Sequence, residues 1–314
     1  MPQTFDRLPL RDELREALTQ VGYTNTTPIQ AAALPVVLRG VDVIGRARTG
    51  SGKTAVFGLG LLQGLDASSP SVQALVICPT RELAEQVAAE VRRLAVCIPG
   101  TRVLTLCGGR SGGLQRQSLQ AGCQIAVGTP GRLIALLERE ALDLSSLRTL
   151  VLDEADRMLD MGFIDEVRLV VDRCPSQRQT LLFSATLPEE ILTLSARVQR
   201  DAERIAVADE VAPDSLQQLL FSCAPEDRDK KVLDLLAWYR PEQALVFAET
   251  RQDCDSAAEY LIHAGVAALA LHGGMEQMER DDAWLQFVHG SSRVLVATNV
   301  AARGLDLPAL PMVI

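Results

Sequence analysis

Short apolar runs alternate with helical stretches along most of this sequence, and that alternation is its strongest constraint on fold. The predicted strands of the first part are Asp42–Gly45, Ala74–Cys78, Val103–Cys107, Gln124–Val127, Thr149–Leu152 and Thr180–Phe183. Amphipathic helices are predicted between them, for example Arg81–Ala95 and Gly113–Gln120, and an outer helix at Leu10–Val21. Short apolar strands interleaved with helices favour a parallel sheet covered on both faces, so the predicted fold class is α/β.

A second, shorter alternation follows a polar stretch at Asp209–Gln218. Its predicted elements are strands Ala244–Ala248, Ala267–Leu271 and Arg293–Thr298 with helices Cys254–Ala264 and Met278–His289. Leu310–Ile314 resembles the opening of another strand. We therefore expect a first domain over 1–208, a linker over 209–218 and a second, incomplete domain over 219–314, with the sheet continuing in a longer protein.

Composition excludes several classes of protein. The 314 residues allow two domains, and 47% apolar with 23% charged residues is ordinary for a soluble globular chain. No apolar run is long enough to span a membrane, and the first residues lack a secretion signal. Seven dispersed cysteines indicate reduced thiols in a cytoplasmic protein. The net charge of −9 gives no general basic footprint, so any nucleic-acid groove would be basic only locally.

A glycine-rich loop separates the first predicted strand from a helix that begins near Lys53. Backbone N–H groups of such a loop, with the following helix N-terminus, bind phosphate. The Lys53 ammonium would contact the β and γ phosphates, and the Thr54 hydroxyl would bind Mg²⁺. Ala47 stands where the pattern usually has its first glycine; the alternative is a flexible turn. The candidate nucleotide-binding residues are Ala47, Arg48, Thr49, Gly50, Ser51, Gly52, Lys53 and Thr54.

Two adjacent carboxylates follow the predicted strand Thr149–Leu152. Ligands of open α/β sheets bind at the carboxyl ends of the strands. There Asp153 would hold Mg²⁺, and Glu154 would orient and deprotonate the attacking water. An acidic cluster alone would indicate a solvated helix start. Together with the Lys53 loop it predicts hydrolysis of a nucleoside triphosphate.

Several other predicted strands also end in polar residues, and each such end alone could be a turn or a helix cap. Their common position at one sheet edge favours contacts to a phosphate backbone, without readout of base edges. The candidate residues are Pro79, Thr80, Arg81, Gly108, Gly109, Thr129, Pro130, Gly131 and Arg132. Ser184 and Thr186 follow the sixth predicted strand in the same way.

This series of motifs, in this order, resembles the DEAD-box ATP-dependent RNA helicases over nearly the whole chain. The segments Phe57–Leu62, Leu104–Gly109 and Asp156–Phe163 are most similar to the bacterial DbpA-type subgroup, which acts in ribosome assembly. The resemblance implies two RecA-like domains, ATP and Mg²⁺ as cofactors, and RNA as a partner. It also implies unwinding of short duplexes by closure of the two domains, in a protein that works as a monomer, with pre-ribosomal particles as candidate partners.

The resemblance also implies roles for single residues. Gly22–Gln30 is similar to the family's adenine-binding motif, in which Tyr23 would stack on adenine and Gln30 would read its edge. Thr27 belongs to the same motif, and Phe5 matches an isolated upstream aromatic residue. Ser184 and Thr186 would couple hydrolysis to RNA through hydrogen bonds to Asp156. The candidate catalytic set is then Lys53, Asp153, Glu154, Asp156, Ser184 and Thr186.

The second half carries further implied contacts. Thr250 and Arg251, after the strand Ala244–Ala248, would contact the RNA backbone, as would Thr298. Gly304 and Asp306 would lie nearest to ATP. Asn299 departs from the family pattern, because an aspartate usually stands there.

The family's last motif, an arginine-containing segment, would follow the strand that begins at Leu310 and is absent here. An arginine finger contributes about 10³–10⁵ in rate. From the resemblance we therefore expect this polypeptide to bind ATP but to hydrolyse it weakly. One alternative is a clamp that holds RNA when ATP is bound without hydrolysing it. The other is a phosphotransferase for small molecules, which RNA would not stimulate.

Overall fold

The computed structural model describes residues 4–48, 50–109, 111–207, 217–299 and 310–314. The chain divides into two compact units, 1–210 and 211–314. Most of the predicted linker lies outside the described residues, so the predicted domain boundaries stay a prediction. Among the described residues no helix combines the length and the apolar character needed to cross a bilayer.

The first unit is built on a seven-stranded sheet in which every pairing is parallel. Its strands are β1 Val43–Arg46, β2 Ala74–Ile77, β3 Val103–Leu106, β4 Ile125–Gly128, β5 Thr149–Leu152, β6 Gln179–Ser184 and β7 Glu203–Ala206. They lie in the order β3-β4-β2-β5-β6-β1-β7. Because all strands run the same way, their carboxyl ends share one edge, where ligands of such sheets bind.

Helices cover both faces of this sheet. They are α1 Asp12–Gln20, α2 Pro28–Val37, α3 Lys53–Gln63, α4 Arg81–Leu94, α5 Gly112–Gln120, α6 Pro130–Leu137, α7 Ala155–Asp160, α8 Ile164–Val171 and α9 Glu189–Val198. Helices α1 to α4 bury their apolar sides against one face, and α6 to α9 bury theirs against the other. Alternate strand residues, such as Val43 and Ile44, enter the two cores in turn, as the two-residue period of a strand requires.

The second unit has a four-stranded sheet with parallel pairings and the order β11-β8-β10-β9. Its strands are β8 Ala244–Ala248, β9 Ala268–Leu271, β10 Val294–Thr298 and β11 Met312–Val313. Its helices among the described residues are α10 Arg228–Tyr239, α11 Arg251–His263 and α12 Gln277–Val288. The strand predicted at Leu310–Ile314 is confirmed, because Met312–Val313 pairs with β8. The prediction of α/β architecture with parallel sheets is thus confirmed in both units.

Candidate functional site

The strand order divides the candidate residues along the carboxyl edge of the first sheet. The neighbouring strands β5, β6 and β1 end in Asp153–Glu154, Ser184–Thr186 and the glycine-rich loop. The other side of the edge carries the candidate backbone contacts at the ends of β2, β4 and β3. Strands β2 and β5 are direct neighbours, so the two sets lie side by side. We call them, after the ligands predicted for them, the nucleotide half and the RNA half of the edge.

The glycine-rich loop is shaped by two glycines in the left-handed region. Gly50 has φ of +79°, and Gly52, with φ of +91°, is the N-cap of α3. Residues other than glycine rarely adopt this backbone conformation. Lys53, the first residue of α3, is 5% exposed, and its Nζ donates a hydrogen bond to the Ala47 carbonyl at 3.0 Å. Thr54 lies in the same first turn, whereas Thr49 lies outside the described residues.

The first turn of α2 and its N-cap residue hold this loop through hydrogen bonds. Thr27 caps α2 in a reciprocal capping box with Gln30. The Thr27 hydroxyl donates to the Ser51 carbonyl at 2.8 Å, and Gln30 Nε2 donates to the Gly52 carbonyl at 3.1 Å. A Cβ atom on Gly52 would lie 2.5 Å from Gln30 Nε2, so the contact depends on glycine. Gln30 Oε1 accepts from the Thr27 N–H, which leaves one further bond available at each end of the amide.

Tyr23, four residues before Thr27, is half-buried. Its ring stacks on Phe5 with the centroids 5.9 Å apart and the planes 10° apart. Its hydroxyl donates to Glu90 Oε1 at 2.8 Å, and Arg93 Nη2 donates to the same hydroxyl at 2.7 Å. The role of Tyr23 in adenine stacking stays a prediction.

Asp153 and Glu154 lie directly after β5 and are 2% and 3% exposed. Burial is the main influence on Asp153 and raises the pKa of its carboxyl from 3.8 to about 6, although the Lys53 charge opposes the shift. Glu154 has φ of +53° and ψ of +53°, a costly backbone conformation for a residue with a side chain. Its Oε2 lies 2.8 Å from Arg157 Nη1. Strain of this kind is common where a side chain is held in a functional orientation.

The raised pKa of Asp153 predicts a pH dependence of stability. Because the carboxyl binds its proton more tightly in the folded state, its ionisation destabilises the fold at neutral pH, and this cost declines as the pH falls through 6. Asp153→Asn should remove this dependence. We expect the free energy of unfolding of the variant, relative to the unchanged protein, to be about 1 kcal/mol larger at pH 7.5 than at pH 5.

Urea unfolding in EDTA at the two pH values measures this difference. Asp160→Asn is the matched control, because it makes the same charge change at an exposed position on α7. A difference between Asp153→Asn and the unchanged protein that does not vary with pH would contradict the raised pKa.

Asp156 connects β5 to the end of β6. Its Oδ2 accepts from the Thr186 N–H at 2.8 Å and from the Thr186 hydroxyl at 3.0 Å. Its own N–H donates to Ser184 Oγ at 3.1 Å. Burial is the largest influence on this carboxyl and favours the neutral form, but the hydrogen bonds outweigh it and hold its pKa below the usual value. The predicted hydrogen bonds are therefore present, while their role in coupling stays a prediction.

The nucleotide half suits a metal-bound polyphosphate. Ser51 Oγ is buried and has no hydrogen-bond partner among the described residues. Those residues include no group of three or more His, Cys, Asp and Glu side chains that could hold a metal ion. Mg²⁺ is commonly bound by one or two protein oxygens together with substrate phosphates and water. Asp153 and Thr54 fit that kind of site, in which a nucleotide would complete the coordination.

The RNA half combines helix N-termini with arginines packed on glycine backbone. Thr80 caps α4 by accepting from the Leu83 N–H at 3.2 Å. A Cβ atom on Gly108 would lie 3.4 Å from the Arg81 guanidinium, which also packs on Gly109. At the end of β4, Thr129 is the N-cap of α6, Pro130 is its first residue, and Gly131 and Arg132 complete its first turn. A Cβ atom on Gly112 would lie 2.6 Å from Arg132 Nη1.

The second unit has its own carboxyl edge. Thr250 caps α11 in a capping box with Asp253, which places Arg251 in the first turn. Thr298 ends the central strand β10 and is buried, and Asn299 beyond it is exposed. Gly304 and Asp306 lie outside the described residues, so their roles stay predictions.

Sequence reasoning missed one turn at this second edge, His272-Gly273-Gly274 after β9. A Cβ atom on Gly274 would lie 3.3 Å from Arg251 Cδ and 3.1 Å from His272 Nδ1. His272 is 8% exposed, with its Nε2 2.8 Å from Asp255 Oδ1. Gly273–Gly274 follows a predicted strand just as Gly108–Gly109 follows β3. That similarity was the sequence signal that could have identified this turn as a candidate site.

Two family models match the sequence. The model described as DEAD/DEAH box helicase matches residues 27–194, and the model described as helicase conserved C-terminal domain matches residues 227–314. The first match covers the glycine-rich loop, the Asp153–Glu154 pair and Ser184–Thr186. The second begins just before α10 and covers the remainder of the chain.

Curated relatives and solved structures agree with these matches. The chain is 51% identical to the ATP-dependent RNA helicase DbpA of Escherichia coli over 95% of its length, and 41% identical to the DEAD-box ATP-dependent RNA helicase CshA of Bacillus subtilis over 98%. It spans 65% and 62% of these two relatives. Saccharomyces cerevisiae Dbp5 bound to RNA and ADP BeF3 is 30% identical with a TM-score of 0.87, covering 99% of this chain and 79% of that one.

A DEAD box protein from Methanococcus jannaschii is 32% identical with a TM-score of 0.63, covering 100% of this chain and 85% of that one. These matches confirm the predicted class of two RecA-like α/β domains. The first family model alone covers more than half of the 314 residues. The chain therefore belongs to the DEAD/DEAH box helicase family.

Proposed function

We propose that this chain forms the catalytic part of an RNA-dependent ATPase that unwinds short RNA duplexes. One observation supports the proposal most strongly. The strand order brings the Lys53 loop and the Asp153–Glu154 pair together in the nucleotide half of the sheet edge, next to the arginines and helix N-termini of the RNA half. The named activities of the relatives support the same function. Phosphate release measured with and without single-stranded RNA tests it, because a small-molecule phosphotransferase would not respond to RNA. The weak hydrolysis that the resemblance implies for this polypeptide stays a prediction, which the same assay tests.

In the proposed reaction, this chain's residues bind and orient the nucleotide. The backbone N–H groups of the loop and of the first turn of α3 would contact phosphate oxygens, with the Lys53 ammonium beside them. Asp153 and the Thr54 hydroxyl would hold Mg²⁺, which when bound neutralises charge on the phosphates. Gln30 has one donor and one acceptor position left for the adenine edge. Tyr23 would stack on the same base.

Glu154 is the proposed general base. Its carboxylate is buried next to Asp153, in a strained backbone conformation and with Arg157 at 2.8 Å. A fixed carboxylate at this place can orient the attacking water and accept its proton. Binding and proton transfer are thus assigned to different side chains of the nucleotide half.

Asp156, Ser184 and Thr186 are proposed to transmit the state of the nucleotide half to RNA. Removing only the side-chain hydrogen bond from Thr186 to Asp156 should weaken this coupling. We expect Thr186→Ala to lower RNA-stimulated phosphate release by about tenfold and to change ATP affinity by less than about twofold, because a hydrogen bond to a charged group contributes about 1.5–3 kcal/mol. Single-turnover phosphate release with and without RNA measures the effect.

Thr186→Ser is the matched control, since it keeps the hydroxyl that donates to Asp156. Its RNA stimulation should stay close to that of the unchanged protein. Equal RNA stimulation in Thr186→Ala and Thr186→Ser would remove this hydrogen bond from the coupling mechanism.

RNA would be bound through its backbone, because the candidate groups at both carboxyl edges are arginines, hydroxyls and N–H groups. They are Thr80, Arg81, Thr129 and Arg132 in the first unit and Thr250, Arg251 and Thr298 in the second. We propose that ATP and single-stranded RNA each favour closure of the two units, so that each ligand strengthens binding of the other. Energy transfer between dyes on the two units, measured with each ligand and with both, tests this closure.

The finer assignments follow from the same resemblance. We propose a role in ribosome assembly, with pre-ribosomal particles as partners, on the similarity to the DbpA-type subgroup. We propose a cytoplasmic monomer; Cys78, Cys107, Cys123 and Cys254 are buried free thiols, which is compatible with a reducing compartment. Cosedimentation with ribosomal precursors in cell extracts tests the partner.

A further inference from the structure

Two charged side chains of helix α4 contact Tyr23. Glu90 Oε1 accepts from the Tyr23 hydroxyl, and Arg93 donates to that hydroxyl and to both oxygens of Glu90 at 2.7 to 2.9 Å. The Arg93 guanidinium lies over the Tyr23 ring, 4.9 Å from its centroid. Three side chains separated by up to 70 residues therefore form a closed set of contacts.

The two charged residues lie at the far end of a helix that begins in the RNA half. Helix α4 starts at Arg81 with Thr80 as its N-cap, and Glu90 and Arg93 occupy its last turns. At 1.5 Å per residue, Arg81 and Arg93 are about 18 Å apart along the axis. Leu83, Val87 and Val91 are buried on the same helix, which fixes it to the sheet. One rigid element thus touches both Tyr23 and the candidate RNA contacts.

We propose that Glu90 and Arg93 are positioning residues for adenine recognition, because they fix the Tyr23 ring and connect it to α4. This inference rests on the proposed function, in which Tyr23 contacts adenine. The Arg93–Glu90 ion pair is partly exposed, with side-chain exposures of 45% and 19%. Ion pairs of this kind contribute little to stability. Removing it should therefore leave the fold intact and act on the orientation of the ring.

The test compares ATP with tripolyphosphate, which carries no base, as ligands in the presence of Mg²⁺. Arg93→Gln and Glu90→Ala, which removes the acceptor of the Tyr23 hydroxyl, should weaken ATP binding by about three- to tenfold, as expected when a hydrogen bond is lost, and leave tripolyphosphate binding unchanged. Tyr23→Phe keeps the ring but loses the hydroxyl, so it should show a similar loss. The double variant Tyr23→Phe with Glu90→Ala should lose no more than either single variant, because Glu90 acts through that hydroxyl.

Arg139→Gln is the matched control, since it removes an exposed arginine after α6. Equal losses for ATP and tripolyphosphate, additive losses in the double variant, or ATP binding that is unchanged or tighter in Arg93→Gln and Glu90→Ala would overturn the positioning role. If the unchanged protein binds ATP no more tightly than tripolyphosphate, the adenine contact itself fails and the positioning role fails with it. The unchanged protein therefore separates the two failures.

Discussion

Glu154→Gln is expected to slow ATP hydrolysis by about 10²–10⁴-fold, because a general base contributes a factor of that size. Glutamine keeps the size of the side chain but cannot accept the proton of the attacking water. Lys53, Thr54 and Asp153 are unchanged, so the affinity for ATP should be kept. Phosphate release at saturating ATP and Mg²⁺, with RNA present, measures the rate, and equilibrium titration of ATP measures the affinity.

Glu138→Gln is a suitable control, since this substitution makes the same chemical change away from the sheet edge. Glu138 is exposed at the C-cap of α6. Its rate should equal that of the unchanged protein. A full rate in Glu154→Gln would exclude Glu154 as the base. A loss of ATP binding in a folded Glu154→Gln protein would instead assign Glu154 to binding.

Lys53→Ala should weaken ATP binding by about 10- to 150-fold, because a hydrogen bond to a charged group contributes about 1.5–3 kcal/mol. The Lys53 ammonium is buried, donates to the Ala47 carbonyl and lies close enough to Asp153 to lower its pKa. Without that charge the pKa of Asp153 should rise further, and less of the carboxylate would be ionised at neutral pH. The variant should therefore lose affinity for Mg²⁺ as well as for phosphate.

Calorimetric titration of ATP and Mg²⁺ checks this result, with circular dichroism to confirm folding. Lys230→Ala is the control, because it removes an exposed lysine on α10. Its affinity should match that of the unchanged protein. Tight ATP binding by a folded Lys53→Ala protein would show that the triphosphate is held elsewhere.

Much of the fold was predictable because the core strands are continuous apolar runs. Strands β5 and β8 have the predicted bounds, and β1 begins at Val43 instead of Asp42. Asp42 is used differently: its carboxylate accepts from the Thr180 and Arg200 N–H groups at 2.7 Å. Strand β7 and helix α10 were not predicted. In β7 the cause is the sequence Glu-Arg-Ile-Ala, which lies at an edge of the sheet and is mostly exposed.

The division of the sheet edge into two halves could not be predicted from the residues. Each polar strand end was visible locally, but which ends are neighbours depends on strand order, which is set by long-range packing. The positive φ of Glu154 is equally invisible in a sequence, because glutamate gives no signal for it. The contacts of Tyr23 with Glu90 and Arg93 join residues far apart in the chain. Glu90 and Arg93 are three residues apart on one helix, a spacing common to many surface ion pairs, so nothing in the sequence connects them to Tyr23.

ATP affinity, measured with and without Mg²⁺, tests the shared site most directly in four proteins: the unchanged chain, Lys53→Ala, Asp153→Asn and the double variant. If both side chains hold one metal-bound triphosphate, Mg²⁺ should strengthen binding in the unchanged chain but not in Asp153→Asn. The double variant should then lose less affinity than the sum of the two single losses. Additive losses, or a full Mg²⁺ effect in Asp153→Asn, would contradict a shared site.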